Sequence, residues 1–164
     1  MARTRFDHWP CSVARTVDLV GDPWTLLVLR DAFYGVRRFE QFQANLELAR
    51  NVLAKRLASL VEAGIFERVP YQERPVRHEY RLTDKGRALY DVVLAMMRFG
   101  DDWLAPDGAP IALRSKADGR LLRPVVVDET TGDRIDPRSV RAELGPGFPD
   151  EHRQRADDEG RFGS

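Results

Sequence analysis

The stretch from Ala49 to Phe66, ARNVLAKRLASLVEAGIF, changes its hydrophobic period within a few residues, and this limits what the chain can become. Leu53, Leu57, Leu60 and Val61 recur at helical spacing, Gly64 stands where a C-cap glycine belongs, and strand-like alternation starts directly after it. A helix with one leucine face must be covered by other helices. The alternation in IFERV returns in HEYRL, which predicts two strands with YQERPVR as the connecting loop.

The covering helices lie upstream. CSVARTVDLV places Val13, Val17 and Val20 at helical spacing. In GDPWTLLVLRDAF, Asp22 is a good N-cap and Pro23 suits the first helical position, where no backbone N–H is needed. Leu26, Leu27, Val28, Leu29 and Phe33 make that helix apolar nearly all round, so it is expected at the centre of the core, ending at Gly35. RRFEQFQANL predicts a short helix with Phe39, Phe42 and Leu46 on one side. After the strands, TDKGRALYDVVLAMMRFGDDWL reads as one long helix with apolar residues at 89, 92, 93, 96, 99 and 103. Helices followed by a two-stranded ribbon, with the last helix before the ribbon amphipathic, form the layout of a winged helix-turn-helix, an α+β fold that is mainly α. The domain is expected over residues 1–105.

Beyond Pro106 the character changes. IALRSKADGRLLRPVVVDETTGDRI predicts short strands joined by turns at Asp118-Gly119 and Gly132, a small β appendage over residues 106–147, with SVRAEL as one helical turn. The polar tail, residues 148–164, is expected to be disordered.

The face of the 49–64 helix opposite its leucines is unusual. At about 100° per residue, Asn51, Lys55, Ala58 and Glu62 point away from Leu53, with Arg50 and Ala54 on one shoulder and Val52 and Ser59 on the other. Small Ala54 and Ala58 allow close approach to base edges, and an alanine methyl packs on a thymine methyl. Arg50, Asn51, Lys55 and the neighbouring Arg56 sit in the first turns, where the helix dipole favours phosphate. The face is shaped for double-stranded DNA, although a solvated helix surface also carries lysine and alanine. Arg74 and Arg77 flank Pro75 between the strands and suit a narrow minor groove or its phosphates; a charged hairpin tip that keeps an edge soluble is the plainer reading. Arg37 and Arg38, ahead of the third helix, are placed to bind phosphate or to pair with a nearby acid.

Net charge is zero over 164 residues, but it is not evenly spread. Residues 37–87 hold eleven Lys and Arg against seven acids, so the middle of the chain is basic and its flanks acidic, which suits an anionic partner for that segment. No apolar run reaches the ~18 residues of a membrane span, the first residues lack a signal-peptide core, and the single Cys excludes an intrachain disulfide framework. Together these lead to an expected cytoplasmic location. A Gly-rich phosphate loop and a Ser–His–acid arrangement are both missing, so neither an enzyme nor a cofactor is expected.

CSVARTVDLVGDPWTLLVLRDAFYGVRRFEQFQ joined to NVLAKRLASLVEAGIFERVPYQERPVRHEYRLTDKGRAL resembles the HxlR family of bacterial transcription regulators, relatives of MarR-type winged-helix proteins. The likeness runs from Cys11 to about Trp103 through Gly21-Asp22-x-Trp24-Thr25, Arg38-Phe39, Leu53-x-x-Arg56-Leu57, Glu62-Ala63-Gly64 and Glu79-Tyr80-x-Leu82-Thr83-x-x-Gly86. The resemblance implies a homodimeric, sequence-specific DNA-binding protein whose subunits meet through the first helix and the helix after the wing. Many members carry Ser-Pro where this chain has Ala49 and Arg50, so the side-chain cap of the recognition helix is missing here.

Three further expectations follow. Some relatives sense oxidants through a cysteine near the position of Cys11, which opens the first helix; packing by a small residue is the alternative. Trp24, Phe33, Met96, Met97, Phe99 and Trp103 are candidates for a dimer core or for a pocket holding a small-molecule effector. In the appendage, places where some relatives have the cysteines of a zinc ribbon read Asp118-Gly119 and Asp128 to Gly132, so a metal-free element is expected. The function expected from all this is a homodimeric repressor on a pseudo-palindromic operator, released by a small molecule or by thiol oxidation. An activator, or a winged-helix interaction module without DNA binding, are the alternatives.

Overall fold

The computed structural model describes residues 5–151. In chain order it contains α1 (Ser12–Val20), α2 (Pro23–Phe33), α3 (Phe39–Leu46), α4 (Arg50–Glu62), β1 (Phe66–Glu73), β2 (Val76–Leu82), α5 (Asp84–Ala88) and α6 (Tyr90–Trp103). This is a winged helix-turn-helix, mainly helical, with β1 and β2 as its antiparallel wing.

Local chemistry sets the boundaries. Asp22 caps α2, its Oδ1 accepting from Trp24 N at 3.0 Å and Thr25 N at 3.3 Å, with Pro23 following as the first helical residue. α3 and α4 are joined by a three-residue turn in which Glu47 adopts a left-handed backbone (φ 51°, ψ 32°). That turn folds Leu48 into the core beside Leu46. Gly64, at φ 69°, lets the chain leave α4 and enter β1. The core consists of Val20, Val28, Leu29, Phe42, Leu46, Leu48, Leu53, Leu57, Leu60, Ile65 and Phe66. It places the leucine face of α4 against α2, α3 and the base of the wing.

The wing is longer than alternation predicts. The strands continue to Glu73 and resume at Val76, so only Arg74 and Pro75 form the turn, where a loop over 71–77 was expected. A ribbon with solvated faces needs backbone pairing but not apolar side chains, and the polar residues near its tip gave no periodic signal. Pro70 is accommodated because the register slips beside it, between Pro70 and Gln72, leaving Tyr71 as a bulge. The backbone of residues 37–38 joins the other edge of β2, with Tyr80 N donating to Arg37 O at 2.8 Å and Arg38 bridging Glu79.

The single helix expected over 83–104 is divided. α5 ends at Ala88, and Leu89, whose N–H reaches back only to Gly86 O, separates it from α6. α5 is locked to the base of the wing: the Thr83 hydroxyl donates to Gly64 O at 2.6 Å and accepts from Gly86 N, and Lys85 Nζ donates to Ala63 O at 2.8 Å. Gly86 is pressed so closely there that a Cβ would stand 2.2 Å from Ile65 O. These contacts hold α5 against the base of the wing.

The chain divides into two compact units. One comprises Leu19–Arg123; the other, among the described residues, comprises 5–18 and 124–151. The appendage contains two turns in the expected places, with Gly119 at φ 72° and Gly132 at φ 75°. Its pairing is limited to the isolated bridges Arg114↔Leu121 and Val127↔Arg134, and residues 139–144 form no helical turn, being almost wholly exposed and without a core to pack on. Carboxylates close both turns: Asp118 Oδ1 accepts from Arg120 N, and Asp128 Oδ1 from Thr130 N and Thr131 N. Hydrogen bonds from Ser115 and the Arg120 backbone hold the Asp118 carboxyl below its ordinary pKa. Most of the tail expected to be disordered, residues 152–164, lies outside the described residues.

Candidate nucleic-acid interface

The helix-turn-helix is α3, the turn at Glu47–Ala49, and α4. Burial of Leu53, Leu57 and Leu60 fixes which face of α4 looks outward. Arg50, Asn51, Ala54, Lys55, Ala58, Ser59 and Glu62 are all exposed, as the helical spacing predicts. Ala49 is the N-cap and supplies no side-chain hydrogen bond, as its identity implied. Asn51 turns its Oδ1 to Val52 N at 2.9 Å, close to its own helix start.

Two cation–π contacts join this helix start to the wing. The Arg50 guanidinium lies 4.8 Å from the centroid of Phe39, the first residue of α3. The guanidinium of Arg38, which precedes Phe39, lies 4.5 Å from the centroid of Tyr71 on β1. Tyr71, Arg38, Phe39 and Arg50 therefore form a continuous run from wing to recognition helix. At the tip, Arg74 and Arg77 are exposed, and Gln72 Nε2 steadies the turn by donating to Arg74 O at 3.1 Å.

Charge pairing distinguishes these cations from several others in the same unit. Among the described residues, Arg37, Arg38, Arg50, Lys55, Arg74 and Arg77 have no acidic partner, whereas Arg30, Arg81, Arg87 and Arg98 in the same unit each pair with an acid; Arg68, Lys85 and Arg114, also without an acid, are held instead by His78 Nδ1, Ala63 O and Gly119 O. Arg56 belongs to the second group. It is turned inward, with Nη2 2.6 Å from Asp22 Oδ2 and its side chain only 24% exposed. Of the basic residues named from sequence, Arg38 and Arg50 are linked through Tyr71 and Phe39, Arg37, Lys55, Arg74 and Arg77 are exposed, and Arg56 is turned inward.

The aromatic and methionine candidates differ in exposure. Phe33 packs on Tyr90, with ring centroids 4.8 Å apart, and Met97 is half-buried. Met96 (50% exposed), Phe99 (59%) and Trp103 (76%) instead line an outward stripe of α6 together with Val92 (38%). Trp24 is exposed at the start of α2. Cys11 is an exposed free thiol at the start of α1, its Sγ 3.5 Å from Ala14 N. No helix among the described residues is long and apolar enough to cross a membrane.

Sequence reasoning missed Tyr71, which it placed in a loop, and the role of Asp22 beyond capping. The Tyr71 signal was the continuing strand beyond Pro70; the Asp22 signal was a second carboxylate oxygen that capping leaves free.

The chain was compared with known proteins. A family model described as HxlR-like helix-turn-helix matches residues 19–108. An uncharacterized HTH-type transcriptional regulator of Mycobacterium tuberculosis is 49% identical over 138 residues, covering 84% of this chain and 87% of the relative. Among solved structures, PA1607, presented as a candidate transcription factor, superposes with a TM-score of 0.77 at 40% identity, covering 87% of this chain and all of that one (100%). The redox regulator HypR in its reduced form superposes with a TM-score of 0.53 at 30% identity, covering 56% of this chain and 92% of its own. The family match spans the helix-turn-helix, the wing and α6, and the chain belongs to the HxlR-like family of helix-turn-helix transcriptional regulators.

Proposed function

We propose that this protein is a homodimeric repressor that binds a pseudo-palindromic DNA operator. The observation that carries this reading is the run of cations without acidic partners along the exposed face of α4, the start of α3 and the wing. Arg50, Asn51, Ala54 and Lys55 enter the major groove, Arg37 and Arg38 meet phosphate, and Arg74 and Arg77 reach the adjacent minor groove or its backbone. The apolar stripe on α6 supports the dimer, since a soluble monomer rarely leaves such a stripe in water. A two-fold pair of recognition helices then calls for two half-sites centred ~10–10.5 bp apart or a multiple of that.

Selection of bound fragments from a random duplex library tests the proposal. Recovery of an inverted repeat with that spacing is the expected result; recovery of no common sequence counts against it.

A thiol switch is the favoured mode of release. Cys11 is exposed at a helix start, and HypR, a redox regulator by description, shares the fold at 30% identity. With one cysteine per chain, a disulfide would join Cys11 to its symmetry mate or to a small thiol. Diamide should weaken DNA binding reversibly in the parent and leave Cys11→Ser unaffected.

A further inference from the structure

We infer that the Asp22–Arg56 ion pair sets the rotation of α4 on the body of the domain, so that Arg56 is a positioning residue for Arg50, Asn51 and Lys55 and does not itself touch DNA. The inference rests on the proposal that α4 is the recognition helix.

Asp22 does two things with its two oxygens. Oδ1 caps α2 through Trp24 N and Thr25 N. Oδ2 is left over, and Arg56 Nη2 occupies it at 2.6 Å. Both side chains are largely withdrawn from water, at 24% and 19% exposure. Among the described residues this is the ion pair that joins α4 to another element.

The rest of the attachment of α4 is poorly directional. Leu53, Leu57 and Leu60 are buried, but apolar burial favours a buried face without specifying its angle closely. The helix start has no side-chain cap at Ala49. A charge-assisted hydrogen bond specifies distance and direction together. Arg56 lies about 60° around the helix from Leu53, on the shoulder away from Arg50. A tether on that shoulder therefore resists rolling of α4, and rolling would carry Arg50 and Lys55 out of register with base edges. The position of Asp22 at a helix start makes the anchor firm, because the same side chain is already held by two backbone amides.

The opposite reading has Arg56 as a DNA contact held in reserve by Asp22. The two readings predict opposite signs. Asp22→Asn keeps a good N-cap residue but presents an amide where the guanidinium needs an anion. Binding of Asp22→Asn, Arg56→Gln and the double variant would be measured on the selected operator and on random duplex across a salt series. Thermal melts would establish that each is folded, and Lys55→Ala would serve as reference. Positioning predicts that each single variant loses roughly tenfold in operator affinity, that the double variant loses no more, and that the salt slope and random-duplex affinity stay unchanged. Tighter binding by Asp22→Asn, or a slope reduced by about one in Arg56→Gln, would overturn the inference. Silence of both singles alongside a weakened Lys55→Ala would also overturn it, leaving the recognition helix in place. If Lys55→Ala is silent as well, the recognition-helix proposal itself fails.

Discussion

α4 and α6 are of similar length, thirteen and fourteen residues, and each leaves one face in water, but the two faces are unfinished in different ways. The open face of α4 is polar and small, with Arg50 and Lys55 lacking acidic partners. The open face of α6 is apolar, with Val92, Met96, Phe99 and Trp103 at steps of four, three and four residues, and no residue of that helix is fully buried. Cations without counterions suit an anion; an exposed apolar stripe suits another apolar surface. One chain thus carries both halves of what a symmetric DNA-binding dimer needs, on separate helices that can be broken separately.

The largest effect is expected on α6. Replacing both Met96 and Phe99 with Glu should dissociate the dimer in sedimentation experiments. Operator affinity should fall by about 10²-fold or more, because linked binding of two half-sites is lost. Random-duplex binding per monomer should survive. Substitution on α4 should do the reverse. Lys55→Ala should leave the protein dimeric and cost ~1–3 kcal/mol of operator affinity if it contacts a guanine, concentrated at one base position. A Lys55→Ala variant that dissociates, or an α6 variant that stays dimeric and loses binding, would blur the division between the two helices.

The wing should give a smaller and different signature. Replacing Arg74 and Arg77 with Ala should lower the salt slope of binding by about two, one unit for each phosphate contact, with little change in base preference. An unchanged slope would remove the wing from the interface. The smallest effect on binding is expected from Cys11→Ser, which should match the parent under reducing conditions and differ only after diamide. Equal responses of the two proteins to diamide would reduce Cys11 to a surface residue.

The parts of this molecule governed by helical burial were legible in the sequence. The leucine spacing of α4 determined which residues face outward, and Asp22-Pro23 and Gly64 marked helix ends because capping and φ preference are local effects. The motif Thr83-x-x-Gly86 was legible as a likeness but not as a cause. Its reason is the close approach of Ile65 O, which arises only when α5 folds onto the start of the wing. The same packing separates α5 from α6, so periodicity alone ran the two together. Among the site residues, Arg50 and Lys55 follow from spacing, whereas the inward turn of Arg56 depends on Asp22, thirty-four residues earlier in the chain. Arg38 over Tyr71 likewise depends on the strand pairing that carries β1 past Pro70. The appendage kept its turns, which local glycines dictate, but gained only isolated bridges because almost nothing there is buried.

The central claim is that the exposed face of α4 reads the major groove as one half of a two-fold pair. Methylation of guanine N7 places a methyl group in the major groove, where an inserted helix would meet it. Interference mapping on the selected operator should show blocked binding at guanines in two clusters centred ~10–10.5 bp apart, or a multiple of that. Arg50→Ala and Lys55→Ala should weaken that interference at symmetric positions in both clusters. Binding indifferent to guanine N7 methylation, or interference confined to a single cluster, would contradict the account.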